Sequence, residues 1–150
     1  MGFFSKLLKW FQPEEYEDAD LGRLISVGSG YWDGAWTLEP GGTVIPFSIT
    51  GRPESVPSEQ RNFMLQVKDR FTEIEQELAR TMFQGIDPLD DGSTPEEVFS
   101  HMELTSVFFT ELDASPREWQ IWYVNDLDPA GHAICVEMKD WKYDGFSMNG

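Results

Sequence analysis

Cysteine occurs once in this 150-residue chain, as Cys135; histidine occurs twice, and lysine and arginine together only 11 times. One cysteine cannot close an internal disulfide, so no disulfide framework is possible, and a reducing cytoplasm suits the chain best. Two histidines and one cysteine fall short of the four N/S ligands of a structural zinc site. So few cations argue against direct nucleic-acid binding, which depends on Lys and Arg neutralising phosphates, and against attraction to anionic membrane surfaces. No uninterrupted apolar run reaches the roughly eighteen residues of a membrane-spanning helix. No Gly-rich loop leads from a strand into a helix, which removes the P-loop and dinucleotide-binding readings. Asn never opens an N-x-Ser/Thr site, a neutral observation.

Acid and aromatic residues are abundant. There are 27 Asp and Glu, a formal net charge of −16, alongside six Trp, eleven Phe and four Tyr. A disordered acidic tail would lack those aromatics, because disorder goes with low hydrophobicity as well as high charge. The chain is therefore a folded domain with an acidic surface, and folding it works against self-repulsion. Its length fits one domain that buries roughly two thirds of its unfolded surface.

Residues 3–11 read as a short amphipathic helix, with Phe3, Phe4, Leu7, Leu8 and Phe11 on one face and Lys6 and Lys9 on the other. The two lysines interrupt any signal-peptide core, and Lys6 stands where a myristoylation pattern wants Ser or Thr. Pro13 ends the helix, and residues 14–20 form an acidic linker, so residues 1–20 are expected to stand apart from a single domain over 21–150. Three strands follow, at 21–27, 31–38 and 43–50; in the second, Trp32, Trp36 and Leu38 share one face and Asp33, Ala35 and Thr37 the other. Phe63, Val67, Phe71, Ile74, Leu78 and Met82 then recur at helical spacing, predicting one long helix from Ser58 to Gln84 with Gly85 as its stop. Thr94-Pro95-Glu96-Glu97 is a capping box opening a brief second helix. Period two returns at 104–112, 118–125 and 132–139, with a last short strand at 143–148. The order predicts an α+β fold: a single antiparallel sheet of five to seven strands with the long helix packed on one face. The later strands are apolar on both sides, Val107 and Phe109 against Phe108, Trp119 and Tyr123 against Trp122 and Val124. One helix covers one face; the other must meet the N-terminal helix, a second copy or a partner.

No set of residues announces a reaction, and neither a catalytic residue, a metal nor a cofactor is expected. Cys135 and His132 are three apart on a predicted strand, an odd separation that points them to opposite faces, and a lone cysteine between Ile134 and Val136 reads as a small buried hydrophobe. The loop 87–92 begins like a calcium-binding loop, but Leu89 and Val98 stand where ligands belong. Near pairs such as Asp126/Asp128 arise by chance among so many acids. The charge distribution remains. Between Asp87 and Asp128 there are eleven acids and one base, Arg117, a local net of −10. Asp87, Asp90, Asp91, Glu96, Glu97, Glu111 and Asp113 are thus candidates for an electrostatic face that steers a basic partner, with Trp119, Trp122 and Tyr123 as candidate apolar anchors.

The segments Gly30-Tyr31-Trp32-Asp33-Gly34, Val56-Pro57-Ser58-Glu59-Gln60 and Gly131-His132-Ala133-Ile134-Cys135-Val136-Glu137 carry a resemblance. Over about residues 28–150 the chain resembles small bacterial domains that recur beside polymorphic or contact-dependent toxins as immunity proteins. The resemblance implies a non-enzymatic inhibitor of a secreted toxin and supplies no catalytic residues. Joined to the acidic segment and the single cysteine, it gives the expectation of a cytoplasmic immunity-type inhibitor of a basic toxin, such as a nuclease. Two readings from other classes stand beside it: a small-molecule-binding or catalytic domain with a Trp-lined pocket, and a homodimeric structural protein joined through its two-faced apolar strands.

Overall fold

A computed structural model describes residues 13–28, 30–39, 41–82, 94–126 and 128–149, with backbone alone at Pro95, Glu96, Val98 and Asn149. The expected N-terminal helix, the end of the long helix at Gln84 and Gly85, and the acidic loop with Asp87, Asp90 and Asp91 lie outside these residues.

Eight strands form one sheet in chain order: β1 (Glu15–Asp18), β2 (Gly22–Ser26), β3 (Tyr31–Leu38), β4 (Thr43–Thr50), β5 (Met102–Glu111), β6 (Glu118–Asn125), β7 (Ala133–Lys139) and β8 (Lys142–Asn149). Every neighbouring pair is antiparallel except β4 and β5, which run parallel. The expectation of a wholly antiparallel sheet of five to seven strands is therefore wrong in two respects. The chain leaves β4 and re-enters at β5 through a long helical crossover, the kind of connection a parallel pair requires. The extra strand is β1, drawn from the segment read as an acidic linker.

Acidic β1 is held by one buried ion pair. The Asp18 side chain is 4% exposed and its two carboxylate oxygens accept from Arg61 Nη1 at 2.5 and 2.6 Å. Asp18 also accepts the N–H groups of Asp20 and Leu21, while Arg61 donates onward to the carbonyls of Pro53 and Val56. Burial alone would raise the Asp18 pKa, but the Arg61 and backbone donors outweigh it and hold it below the ordinary value.

The expected single long helix is two: α1 (Ser58–Asp69) and α2 (Phe71–Thr81), with the brief α3 (Pro95–Ser100) later. Arg70 leaves helical geometry at φ −105°, ψ 10°, with its guanidinium 4.4 Å from the Trp141 ring centroid. No Gly or Pro lies there to signal a break, and the buried stripe passes through it intact: Phe63, Val67, Phe71, Ile74, Leu78 and Met82 are all buried. Two shorter segments keep that stripe on a twisted sheet where one straight rod would depart from it.

All three helices lie on the same face of the sheet. Phe63 meets Trp119 and Trp141, Phe99 meets Tyr123, and the Tyr123 hydroxyl donates to Glu75 on α2 at 2.9 Å. Beneath them every second strand residue forms the core: Leu24, Trp32, Trp36, Ile45, Phe47, Ile49, Val107, Phe109, Trp119, Ile121, Tyr123, Ile134, Val136 and Met138. Gly34 is required by close approach. A Cβ there would stand 2.6 Å from the Phe47 ring, which stacks on Trp36 at 4.0 Å, and 2.7 Å from Leu24.

Candidate partner-binding face

Strand alternation sends the remaining residues to the opposite face, over which none of the described helices lies. Tyr31 and Phe108 meet there with ring centroids 5.3 Å apart. Trp122, on the neighbouring strand, donates its indole N–H to Gln120 Oε1 at 3.1 Å, and Gln120 Nε2 reaches Glu137 Oε1 at 3.5 Å. Ser48 Oγ donates to Asp33 Oδ1 at 2.6 Å, orienting that exposed carboxylate beside the aromatic pair. Val44 is 54% exposed and Tyr31 37%, while Phe108, Trp122 and Val124 are half-buried. The result is an apolar, aromatic centre framed by Asp33, Glu103, Glu111, Glu118 and Glu137.

The charge on this face is left standing. Glu111 and Glu118 are direct cross-strand partners, an arrangement of like charges that costs free energy. Lys139 stands opposite Glu118 on the other side, but its ammonium is held by Asp144 at 3.4 Å. All six arginines are ion-paired with other acids: Arg23, toward the β1 edge of this same face, with Glu15, Arg52 with Glu14 and Glu54, Arg61 with Asp18, Arg70 with Glu73, Arg80 with Glu77, and Arg117 with Glu59 and Asp140. A cation brought by a partner would relieve the Glu111–Glu118 repulsion and could lie over Trp122 or Phe108.

The candidate residues read from sequence do not form one surface. Trp119 and Tyr123 are each 1% exposed, on the covered face, where Trp119 donates its indole N–H to the carbonyl of Asp140 at 2.8 Å. Neither is a partner contact in this fold, and of the three apolar candidates Trp122 alone faces outward. Glu97 closes the capping box of α3: its carboxylate accepts the Thr94 N–H, and its own N–H donates to Thr94 Oγ1. Glu111 sits on the open face, and Asp113 lies in the β5–β6 turn. Asp87, Asp90 and Asp91, and the side chain of Glu96, are outside the described residues. Sequence reasoning passed over Tyr31, Asp33 and Glu137 as contact residues, and counted Phe108 among the interface aromatics only together with the inward Phe109, Trp119 and Tyr123. The signal was there in the period-two alternation, which set Asp33 opposite Trp32 and Trp36, and Phe108 opposite Val107 and Phe109.

Cys135 also points to the open face, directly beside Trp122, yet is buried. Burial, then the neighbouring Glu137 carboxylate, pushes its thiol pKa up to about 11, so at neutral pH it is protonated and a poor nucleophile. His132 bonds Asp128 at 2.7 Å and His101 bonds Asp126 at 2.9 Å. Among the described residues no group of three or more His, Cys, Asp or Glu is placed to hold a metal ion, and no helix is long and apolar enough to cross a membrane.

The five described tryptophans do not gather around a pocket. Trp32, Trp36 and Trp119 are core residues, Trp122 is on the open face, and Trp141 borders a 420 Å³ groove with Arg70, Glu73, Glu77 and Arg80. Comparison with known proteins finds no matching family model, no matching curated protein and no matching solved structure.

Proposed function

We propose that this is a non-enzymatic binding protein of the cytoplasm that engages a basic protein partner through the open face of its sheet. In the immunity-type form of this reading, the partner is a basic toxin or effector whose active face is occluded by the contact. One observation carries the proposal. The face over which no described helix lies sets Tyr31, Phe108 and Trp122 among Asp33, Glu103, Glu111, Glu118 and Glu137, and no arginine of the described chain neutralises the central acids. Aromatic anchors inside a charged rim are the composition of interface hot spots. Complementary charge would speed association and reject anionic competitors.

The test begins with affinity capture from the native cell and identification of the partner by mass spectrometry. A basic partner is expected, with binding that weakens as salt rises and falls when Phe108 and Trp122 are changed together to alanine. An acidic or neutral partner whose binding ignores both salt and that double change would overturn the proposal.

A further inference from the structure

We propose that the outer edge of β8 pairs antiparallel with β8 of a second copy, continuing the sheet across a twofold axis. The proposal goes beyond the partner reading and does not depend on it. The two edges of the sheet are built differently. β1 is four residues, Glu15-Tyr16-Glu17-Asp18, with Glu14 and Asp20 beside it, and a short, charged strand is a usual way to blunt an edge. β8 is eight residues long, and its one lysine and one aspartate, Lys142 and Asp144, cancel. Among the described residues nothing pairs with its outer side.

Phe146 and Met148 stand 45% and 59% exposed on this strand. They lie opposite Val136 and Ile134, hence on the covered face, but the described helices leave them uncovered. A single exposed apolar residue needs no explanation. Two at successive same-face positions on an unpaired edge form a template for another strand.

Charge selects a second copy as the occupant. A net of −16 makes most of the surface repel its own kind, so two copies meet most readily where the field is locally balanced. The β7–β8 turn carries Lys139 and Lys142 with Asp140 between them; Lys139 is held by Asp144 and Asp140 by Arg117, which leaves Lys142 as the cation this end presents among the described residues. The opposite end of β8, at Asn149, pairs with Ala133 and so borders the 126–132 loop with Asp126 and Asp128. An antiparallel twofold pairing points Lys142 of each copy toward the aspartate end of the other. In the register that sets Phe146 of one copy opposite Met148 of the second, twice, residues 145–149 of each strand pair in a self-complementary seam, and Lys142 of each copy extends past Asn149 of the other. With the axis perpendicular to the sheet, both helix layers fall on one side and both open faces on the other.

Sedimentation of the full chain across the micromolar range, with hydrogen exchange of the β8 amides, tests this. The wild type should show a two-chain species, and the β8 amides should gain protection as concentration rises. Phe146→Lys combined with Met148→Lys should sediment as a single chain while keeping the wild-type melting temperature, since both side chains are exposed. Lys142→Glu should weaken the two-chain species most at low salt. A wild type that stays a single chain, β8 amides indifferent to concentration, or a two-chain species that survives the double substitution would overturn the proposal. The exchange measurement needs no variant, so a poorly folding substitution does not spoil the test. Retained partner capture by a single-chain variant would separate this edge from the partner-binding face.

Discussion

Trp119 and Trp122 stand three residues apart on β6, on opposite faces of the same sheet. Trp119 is sealed beneath α1, edge-on to Phe63 and stacked on Phe109, with its N–H spent on the Asp140 carbonyl. Trp122 faces outward among Gln120, Glu137 and Cys135, with its N–H spent on a neighbouring side chain rather than on the backbone. One environment is chosen by packing: its charges are few and engaged, Asp18 with Arg61, Glu75 with the Tyr123 hydroxyl, Arg117 over the Phe63 ring, and it needs Gly34 so that two rings can approach. The other keeps aromatics half-exposed beside carboxylates that form no ion pair among the described residues. A face selected for stability alone would cover the first and neutralise the second.

The sharpest way to break the comparison is to truncate each tryptophan. Trp119→Ala removes a fully buried indole and should cost about 3–5 kcal/mol, readable in urea unfolding. Trp122→Ala should cost less than about 1 kcal/mol, as expected away from the core. Equal losses would mean that the open face is covered by something that belongs to the folded domain.

Asp18→Ala is expected to cost about 3 kcal/mol, because it leaves the Arg61 guanidinium buried without its partner. The pH dependence has a fixed sign. A carboxyl held below its ordinary value of about 3.9 contributes stability above that pH and loses it as pH falls through the lowered value. The wild type should therefore lose stability on acidification below about pH 4 more steeply than Asp18→Ala does. Parallel curves would refute a role for this pair in fastening β1.

Neighbouring residues on β3 sharpen the contrast at smaller scale. Gly34→Ala drives a methyl into the Phe47 ring and should cost about 1–3 kcal/mol by overpacking. Ala35→Val, on the open face next to it, should stay within about 0.5 kcal/mol. The smallest effect is expected at Glu75. Burial raises its pKa, and the Tyr123 hydrogen bond offsets this only in part. An acid whose folded pKa is raised loses stability as pH climbs through the carboxylate range. Glu75→Gln, which keeps an acceptor for the Tyr123 hydroxyl, should raise the melting temperature at neutral pH, with the gain vanishing in acid. A gain that persisted in acid would show that the carboxylate charge is not the cause.

Much of the strand pattern was legible because burial on one face leaves a period-two trace. β3, β4 and β6 fall where the alternation put them, and the split of Trp119 and Tyr123 from Trp122 and Val124 was visible as well. Grouping those three aromatics as one patch ignored that same alternation. β1 was hidden because its acids are edge residues and its one inward carboxylate, Asp18, finds a cation 43 residues away. The parallel β4–β5 pairing was hidden because strand propensity does not encode direction; only the length of the crossover does. The break at Arg70 has no Gly or Pro to mark it, and its stacking on Trp141 joins positions far apart in sequence. The acids between Asp87 and Asp128 looked like one face in a linear count, yet Glu97 caps a helix while Glu111 sits across the sheet from the helix layer.

The central claim is that the open face, and not the helix layer, meets a basic partner. Association rates of the captured partner, measured against salt for two charge-reversed proteins, test it most directly. Changing Glu111, Glu118 and Glu137 together to lysine should slow association by about tenfold or more at low salt. Changing Glu73, Glu77 and Glu59 on the helix layer should leave it within about threefold, the residue of a smaller overall charge. Equal slowing by both sets, or greater slowing by the helix-layer set, would contradict the account.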